Sequence, residues 1–121
     1  MSGFRFRPAQ RLKRPADFRR VYDRRCSASD AVLIVYGLEN GLAQSRLGVS
    51  ASRKLGGAVT RNRLKRLVRE AFRLTQAELP VGLDLVVIPR DATTNSLDAV
   101  KNSLPALARV VQRKLQKGKR P

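Results

Sequence analysis

The stretch that most restricts the fold is AVTRNRLKRLVREAFRLTQ, residues 58–76. Leu64, Leu67, Val68, Ala71 and Phe72 follow i, i+3, i+4, i+7, i+8, which sets them on one face of a helix. Arg61, Lys65, Arg69 and Arg73 recur every fourth residue and make a second stripe beside it, with Asn62 and Arg66 adjoining. Such a helix must bury one side against a second layer and turn the other outward. From Arg61 to Arg73 there are six positive charges and one acid, Glu70. Like charges at i, i+4 repel, at a few tenths of a kcal/mol (~0.2–0.5) per pair. A solvated surface helix would mix the signs, so this one points to a partner that cancels the repulsion. Five of the six cations are Arg, whose planar fork suits bidentate phosphate contact.

The whole chain shows the same bias. Its 121 residues carry 26 Lys and Arg against 9 Asp and Glu, a formal charge of +17. That excess exceeds what solubility needs and indicates a polyanion: nucleic acid first, an anionic membrane second. A membrane-surface helix would turn bulky apolar groups to lipid, but here the apolar stripe is needed for the core. No apolar run approaches the roughly 20 residues of a membrane span, and MSGFRFRPAQRLKRP lacks the apolar stretch of a signal peptide. The expected compartment is the cytoplasm. Cys26 is the only cysteine and there is no His. A disulfide framework, zinc sites and His-based acid–base chemistry are therefore excluded. Cys26 has no imidazole partner and reads as a bland thiol.

The length suits one domain, 1–121, with basic flexible ends at about 1–13 and 117–121. RPADFRRVYDR predicts a short helix with Pro15 in its first turn and Phe18, Val21 and Tyr22 on one face. Residues 24–30 read as a loop. AVLIVYGL (31–38) reads as a buried strand, followed by the turn signal Asn40-Gly41. RLGVSASRK (46–54) alternates: Leu47, Val49 and Ala51 point one way, Ser50, Ser52 and Lys54 the other. Gly56-Gly57 ends that segment and opens the basic helix. LDLVVIPR (83–90) is a second buried strand. A last helix starts near Asn95 or Ser96, either a good N-cap, and runs to about Lys117, kinked or split at Pro105. The order αβββαβα specifies an α/β two-layer sandwich, a small mixed sheet with helices packed on it. The strand–helix–strand unit over 46–90 would ordinarily be right-handed.

A DNA-recognition helix usually sits in an all-helical unit; this one sits beside a sheet, so RNA rather than DNA is the expected partner. Phe18, Tyr22 and Tyr36 are three of only six aromatics. Aromatics near a basic, Ser-lined sheet face suit stacking on unpaired bases. The two Tyr hydroxyls need water or a partner, which favours a rim or cleft. Core packing is the plainer reading, above all for Phe18.

At SASRKLGGAVTRNRLKRLVREAF the chain resembles the bacterial ribonuclease P protein family, whose signature is a basic Arg-Asn-Arg helix following a strand and a Gly turn. RLKRPADFRRVY is similar to the family's N-terminal element and LDLVVIPR to its last strand. The resemblance implies a protein that binds a large catalytic RNA and precursor tRNA, in a complex that removes the 5′ leader. It implies that the RNA performs the hydrolysis with Mg²⁺ and that the protein assists. It also implies a left-handed crossover around the basic helix. By position, it places Arg61, Asn62, Arg63, Lys65, Arg66 and Arg69 on the catalytic RNA. It places Phe18, Tyr22, Tyr36, Ser50, Ser52 and Lys54 along the cleft for the single-stranded leader. Two positions depart from the pattern: Gly57 stands where the family often has Asn or Lys, and Pro105 interrupts the last helix. Two alternatives remain at this level, a general RNA-binding protein (ribosomal component or RNA chaperone) and a stand-alone nuclease. The nine acids form no Asp/Glu cluster in sequence that suggests a two-metal nuclease.

Overall fold

The computed structural model describes residues 8–91 and 96–117. In chain order the elements are α1 (Pro15–Asp23), β1 (Ser27–Ser29), β2 (Leu33–Glu39), β3 (Arg46–Val49), α2 (Ala58–Leu74), β4 (Leu83–Pro89) and α3 (Leu97–Lys117). Four strands form one mixed sheet in the order β1-β2-β4-β3. β2 pairs antiparallel with β1 and β4, and β3 runs parallel to β4.

Apolar patterning explains why β4 is central. Leu83, Leu85, Val86 and Val87 are all buried, so the strand is covered on both faces and paired along both edges. Asn40-Gly41 therefore does not close a hairpin, because β4 lies between β2 and β3. The turn itself forms: Gly41 takes φ 70°, and Leu42 N–H donates to Asn40 Oδ1 at 2.8 Å. Asp84, 1% exposed, ties both neighbours to the central strand. It accepts from Arg46 Nε and Nη2 at 2.8 and 2.6 Å and from Asn40 Nδ2 at 3.0 Å.

One sheet face packs on α2 and α3, giving the expected two-layer sandwich. Leu33, Val35, Leu47, Leu85 and Val87 meet Val68, Ala71 and Phe72 of α2 and Val100, Leu104, Ala108 and Val111 of α3. α1 covers part of the other face, where Val21, Leu12 and Val86 are buried. Pro15 begins α1, and its missing N–H costs nothing in the first turn. Leu64, Val68, Ala71 and Phe72 are the buried stripe of α2, with Leu67 half-buried beside them.

Four local expectations change. The loop expected at 24–30 contains β1, a short edge strand that the Ser-rich sequence does not announce. The strand expected over 46–54 ends at Val49; Ser50 N–H still donates to Val87 O at 3.0 Å, and then a 3₁₀ turn spans Arg53–Leu55. Residues 8–13, expected within a flexible end, lie along the outer edge of β3. Arg11 bridges to Leu47, Leu12 N–H donates to Leu47 O at 2.9 Å, and Leu12 is buried. This covers an otherwise open strand edge. α3 is not split at Pro105, because Leu104, Pro105, Leu107 and Ala108 are buried together and tertiary packing outweighs the lost hydrogen bond. Ser96 caps α3, its Oγ accepting from Ala99 N–H at 3.1 Å. Asn95 lies outside the described residues.

Candidate nucleic-acid interface

At about 100° per residue, Arg61, Lys65 and Arg69 fall directly beside the buried stripe of α2, and all three are half-buried. Asn62 and Arg66 turn further outward and are exposed. Arg63 is also exposed, but it lies about 160° around the helix from Lys65. It stands one turn before Arg66, about 60° away, and so adjoins the outer edge of that surface. Arg73 is occupied: its Nε and Nη2 donate to the Glu70 carboxylate at 2.8 and 2.7 Å. Those hydrogen bonds hold the Glu70 carboxyl below its usual range, against a small burial effect. The stripe left for a partner thus ends at Arg69. Arg61 Nε is sealed from solvent with no protein hydrogen-bond partner, a cost that an anion at the guanidinium would offset.

α2, β3, α1 and the segment before α1 enclose a pocket of about 360 Å³. Arg11, Lys13, Lys65 and Arg69 supply its cations, Phe18 an aromatic wall and Gly48 part of its floor. The absence of a side chain at position 48 is what admits the ring. A Cβ there would stand 2.6 Å from Phe18 Cζ and 2.9 Å from Cε2. Burial, then the charge of Arg11, push the Arg69 pKa down. Positive charge is therefore crowded in a partly desolvated site, the condition in which an anion is most welcome.

Beyond the pocket the sheet is open. Across β2, β4 and β3 the register sets Tyr36, Val86 and Gly48 in one row and Ile34 and Ile88 in the next; Ser50 continues that row past the end of β3. α1 covers the first row with Phe18 and Tyr22, and Tyr22 meets Tyr36 edge-to-face at 5.1 Å and 86°. Ile34, Ile88 and Ser50 are only half-buried, so this end of the face is a shallow cleft.

The structure brings together Phe18, Tyr22 and Tyr36, with Ser50 on the same side. Ser52 and Lys54 lie past the end of β3 and are exposed, so the alternation does not carry them into the cleft. Phe18 shares one pocket with Lys65 and Arg69, so the residues expected on a leader and on a catalytic RNA are not cleanly separated. Arg11, Lys13, Gly48, Ile34 and Ile88 belong to the surface and were not identified from the sequence. The signal for the first two is Arg-Leu-Lys itself, an apolar residue between two cations, as on a strand that buries one side. Among the described residues, no group of three or more His, Cys, Asp or Glu stands together to hold a metal ion.

A family model described as Ribonuclease P matches residues 6–113. The ribonuclease P protein component of Brevibacillus brevis is 42% identical over 98 residues, which cover 79% of this chain and 78% of that protein. Among solved structures, the RNase P protein from Thermotoga maritima superposes with a TM-score of 0.74 at 36% identity, covering 82% of this chain and 96% of that one. The Staphylococcus aureus RNase P protein gives 0.73 at 34% identity, covering 85% and 95%.

Proposed function

The chain belongs to the ribonuclease P protein family, and from that premise we propose that it acts as the accessory subunit of the ribonuclease. In this reading it binds the catalytic RNA and the 5′ leader of precursor tRNA together, and the RNA carries out the hydrolysis. The observation that best supports this is the pocket where Lys65 and Arg69 of the basic helix meet Phe18. Phosphate-binding and base-stacking groups converge there, beside a half-open sheet face.

The physical gain is electrostatic. A polyanionic RNA that holds a polyanionic substrate must overcome their repulsion. Fixed cations between the two lower that cost and release counterions, an entropic gain that weakens with salt. Arg61, Asn62, Lys65, Arg66 and Arg69 would face the catalytic RNA, with Arg63 beside Arg66 at the outer edge of that surface. Phe18, Tyr22, Tyr36 and Ser50 would line the leader's path, with Ser52 and Lys54 at its outer end. Mg²⁺ would be held by RNA. Fixed Arg and Lys charges would replace part of the diffuse cation requirement, so the protein's benefit should be greatest where Mg²⁺ is scarce. No helix among the described residues is long and apolar enough to cross a membrane. The test compares cleavage of a precursor tRNA by a bacterial catalytic RNA, with and without this protein, at Mg²⁺ concentrations where the RNA alone is slow.

A further inference from the structure

α1 ends against the preference of its own backbone. Arg25, just past the C-cap Arg24, takes φ 55°, and among the described residues it is the only non-glycine with a positive φ. Its N–H closes the helix by donating to Tyr22 O at 3.0 Å. Gly most often fills this left-handed position after a helix, because a Cβ is strained there. Arg25 is exposed, so packing of its side chain does not repay the strain.

Cations gather around that turn. α3 passes beside it: Cys26 Sγ lies 3.7 Å from Val111 O, and Lys114 Nζ donates to Ser27 O at 2.6 Å. Burial pushes the Cys26 thiol up, and the nearby charges of Arg24 and Lys114 oppose it. Arg113 and Lys117 flank Lys114 on α3, and all three are exposed. The acids of this corner are Asp23 and Glu39, of which Glu39 lies 3.7 Å from Arg24. Among the described residues, Arg25, Arg113 and Lys117 have no ion pair or side-chain hydrogen bond. Both helices end here, and a helix C-terminus favours cations. That accounts for Lys and Arg near either end. It does not account for Arg at the one position where the backbone favours Gly.

We propose that this corner is a second contact with the catalytic RNA, in which Arg25, Arg113 and Lys117 hold the phosphate backbone of a duplex segment. This rests on the reading of the protein as a subunit of that RNA. A duplex fits better than a single strand because the corner offers no ring to an unpaired base. Of the described aromatics, Phe72 is buried, and Phe18, Tyr22 and Tyr36 cluster where α1 meets the sheet. Position favours the catalytic RNA over the substrate. β1 is the sheet edge farthest from β3 and α2, three strand spacings or roughly 14 Å away. The cleft lies between the two edges. A large RNA that grips both would fix the protein while leaving the cleft open.

The test measures the affinity of the full chain for a bacterial catalytic RNA, and then that of the assembled holoenzyme for mature tRNA. Arg25→Gly removes the charge and relieves the turn. Its melting temperature should rise by roughly 2–8 °C, while assembly weakens roughly threefold. Arg25→Lys should keep the wild-type melting temperature and most of the affinity. Arg25→Gly/Arg113→Ala/Lys117→Ala should weaken assembly roughly 30-fold, and its log–log salt slope should fall by about 2.7, three duplex phosphate contacts. Binding of mature tRNA by the holoenzyme should be unchanged. Full assembly affinity in the triple variant overturns the corner. So does a loss confined to mature tRNA, which assigns these cations to the substrate. An Arg25→Gly protein that is no more stable than the wild type removes the strain on which the choice of Arg25 rests. Arg66→Glu, on α2, separates the two levels of inference. If it weakens assembly and the triple variant does not, the corner alone is wrong. If neither has an effect, the subunit reading falls with it.

Discussion

Replacing Gly48 by Ala adds one methyl group at the point where β3 supports the Phe18 ring. The new Cβ would meet Phe18 Cζ at 2.6 Å, Cε2 at 2.9 Å and Leu12 Cβ at 3.1 Å. Either the ring swings out of the pocket or β3 and α1 move apart. Overpacking of this kind costs about 1–3 kcal/mol. With an unfolding entropy of about 0.25 kcal/mol/K for a chain this long, the melting temperature should fall by roughly 4–12 °C. Because Phe18 is only half-buried, the cheaper response is for the ring to move. Leader binding should then lose a stacking contact of about 1–3 kcal/mol, roughly 5- to 150-fold in affinity for precursor over mature tRNA. Urea unfolding and precursor-binding titrations read the two effects separately. A double-mutant cycle with Phe18→Ala tests the cause: without the ring, Gly48→Ala should cost clearly less. Strictly additive costs, or full precursor affinity in a destabilised Gly48→Ala protein, would refute the reasoning.

Asp84→Ala should cost about 3 kcal/mol, at the lower end for a broken buried pair because the Arg46 side chain keeps 24% exposure. Urea unfolding checks this, and a loss below about 1 kcal/mol would show that Asp84 does not tie the strands. Asp30 sets a pH dependence. Burial pushes its pKa up, but the Ser103 hydroxyl, the N–H groups of Leu33 and Val32 and the charge of Arg90 outweigh it and leave the carboxyl below its usual range. A depressed folded pKa gives stability that is complete above the unfolded pKa and lost as pH falls through the folded one. The melting-temperature advantage of the wild type over Asp30→Asn should therefore shrink from about pH 4 downward. A constant difference across that window would remove Asp30 from the account.

The sequence carried the element types well where one period dominated. The stripe of α2 and the apolar runs of β2 and β4 are set by local patterning, and the structure keeps them. What local pattern cannot supply is neighbour order. Asn40-Gly41 forms its turn, yet β4, more than 40 residues later in the chain, takes the place that a hairpin partner would have. Pro105 was overridden by burial on its own helix face, and Ser50-Ala51-Ser52 lost its strand because β3 stops pairing at Val49. The candidate interface was half legible. A basic stripe and three aromatics stand out in a sequence, but that Lys65 and Arg69 reach Phe18 depends on how α2 and α1 flank β3. Arg11 and Lys13 were hidden because a basic N-terminal segment looks solvated until Leu12 is seen to anchor it. Arg73 shows the converse: by spacing it extends the stripe, but Glu70 one turn back claims it.

In the proposed reading, these fixed cations let a catalytic RNA hold and cut its precursor. The most direct measurement is the rate of precursor tRNA cleavage at low Mg²⁺ by the RNA alone, the protein alone and the two together. A large gain for the complex is expected, with no cleavage by the protein alone and a gain that fades as Mg²⁺ is raised. No gain despite tight RNA binding, or metal-dependent cleavage by the RNA-free protein, would contradict it.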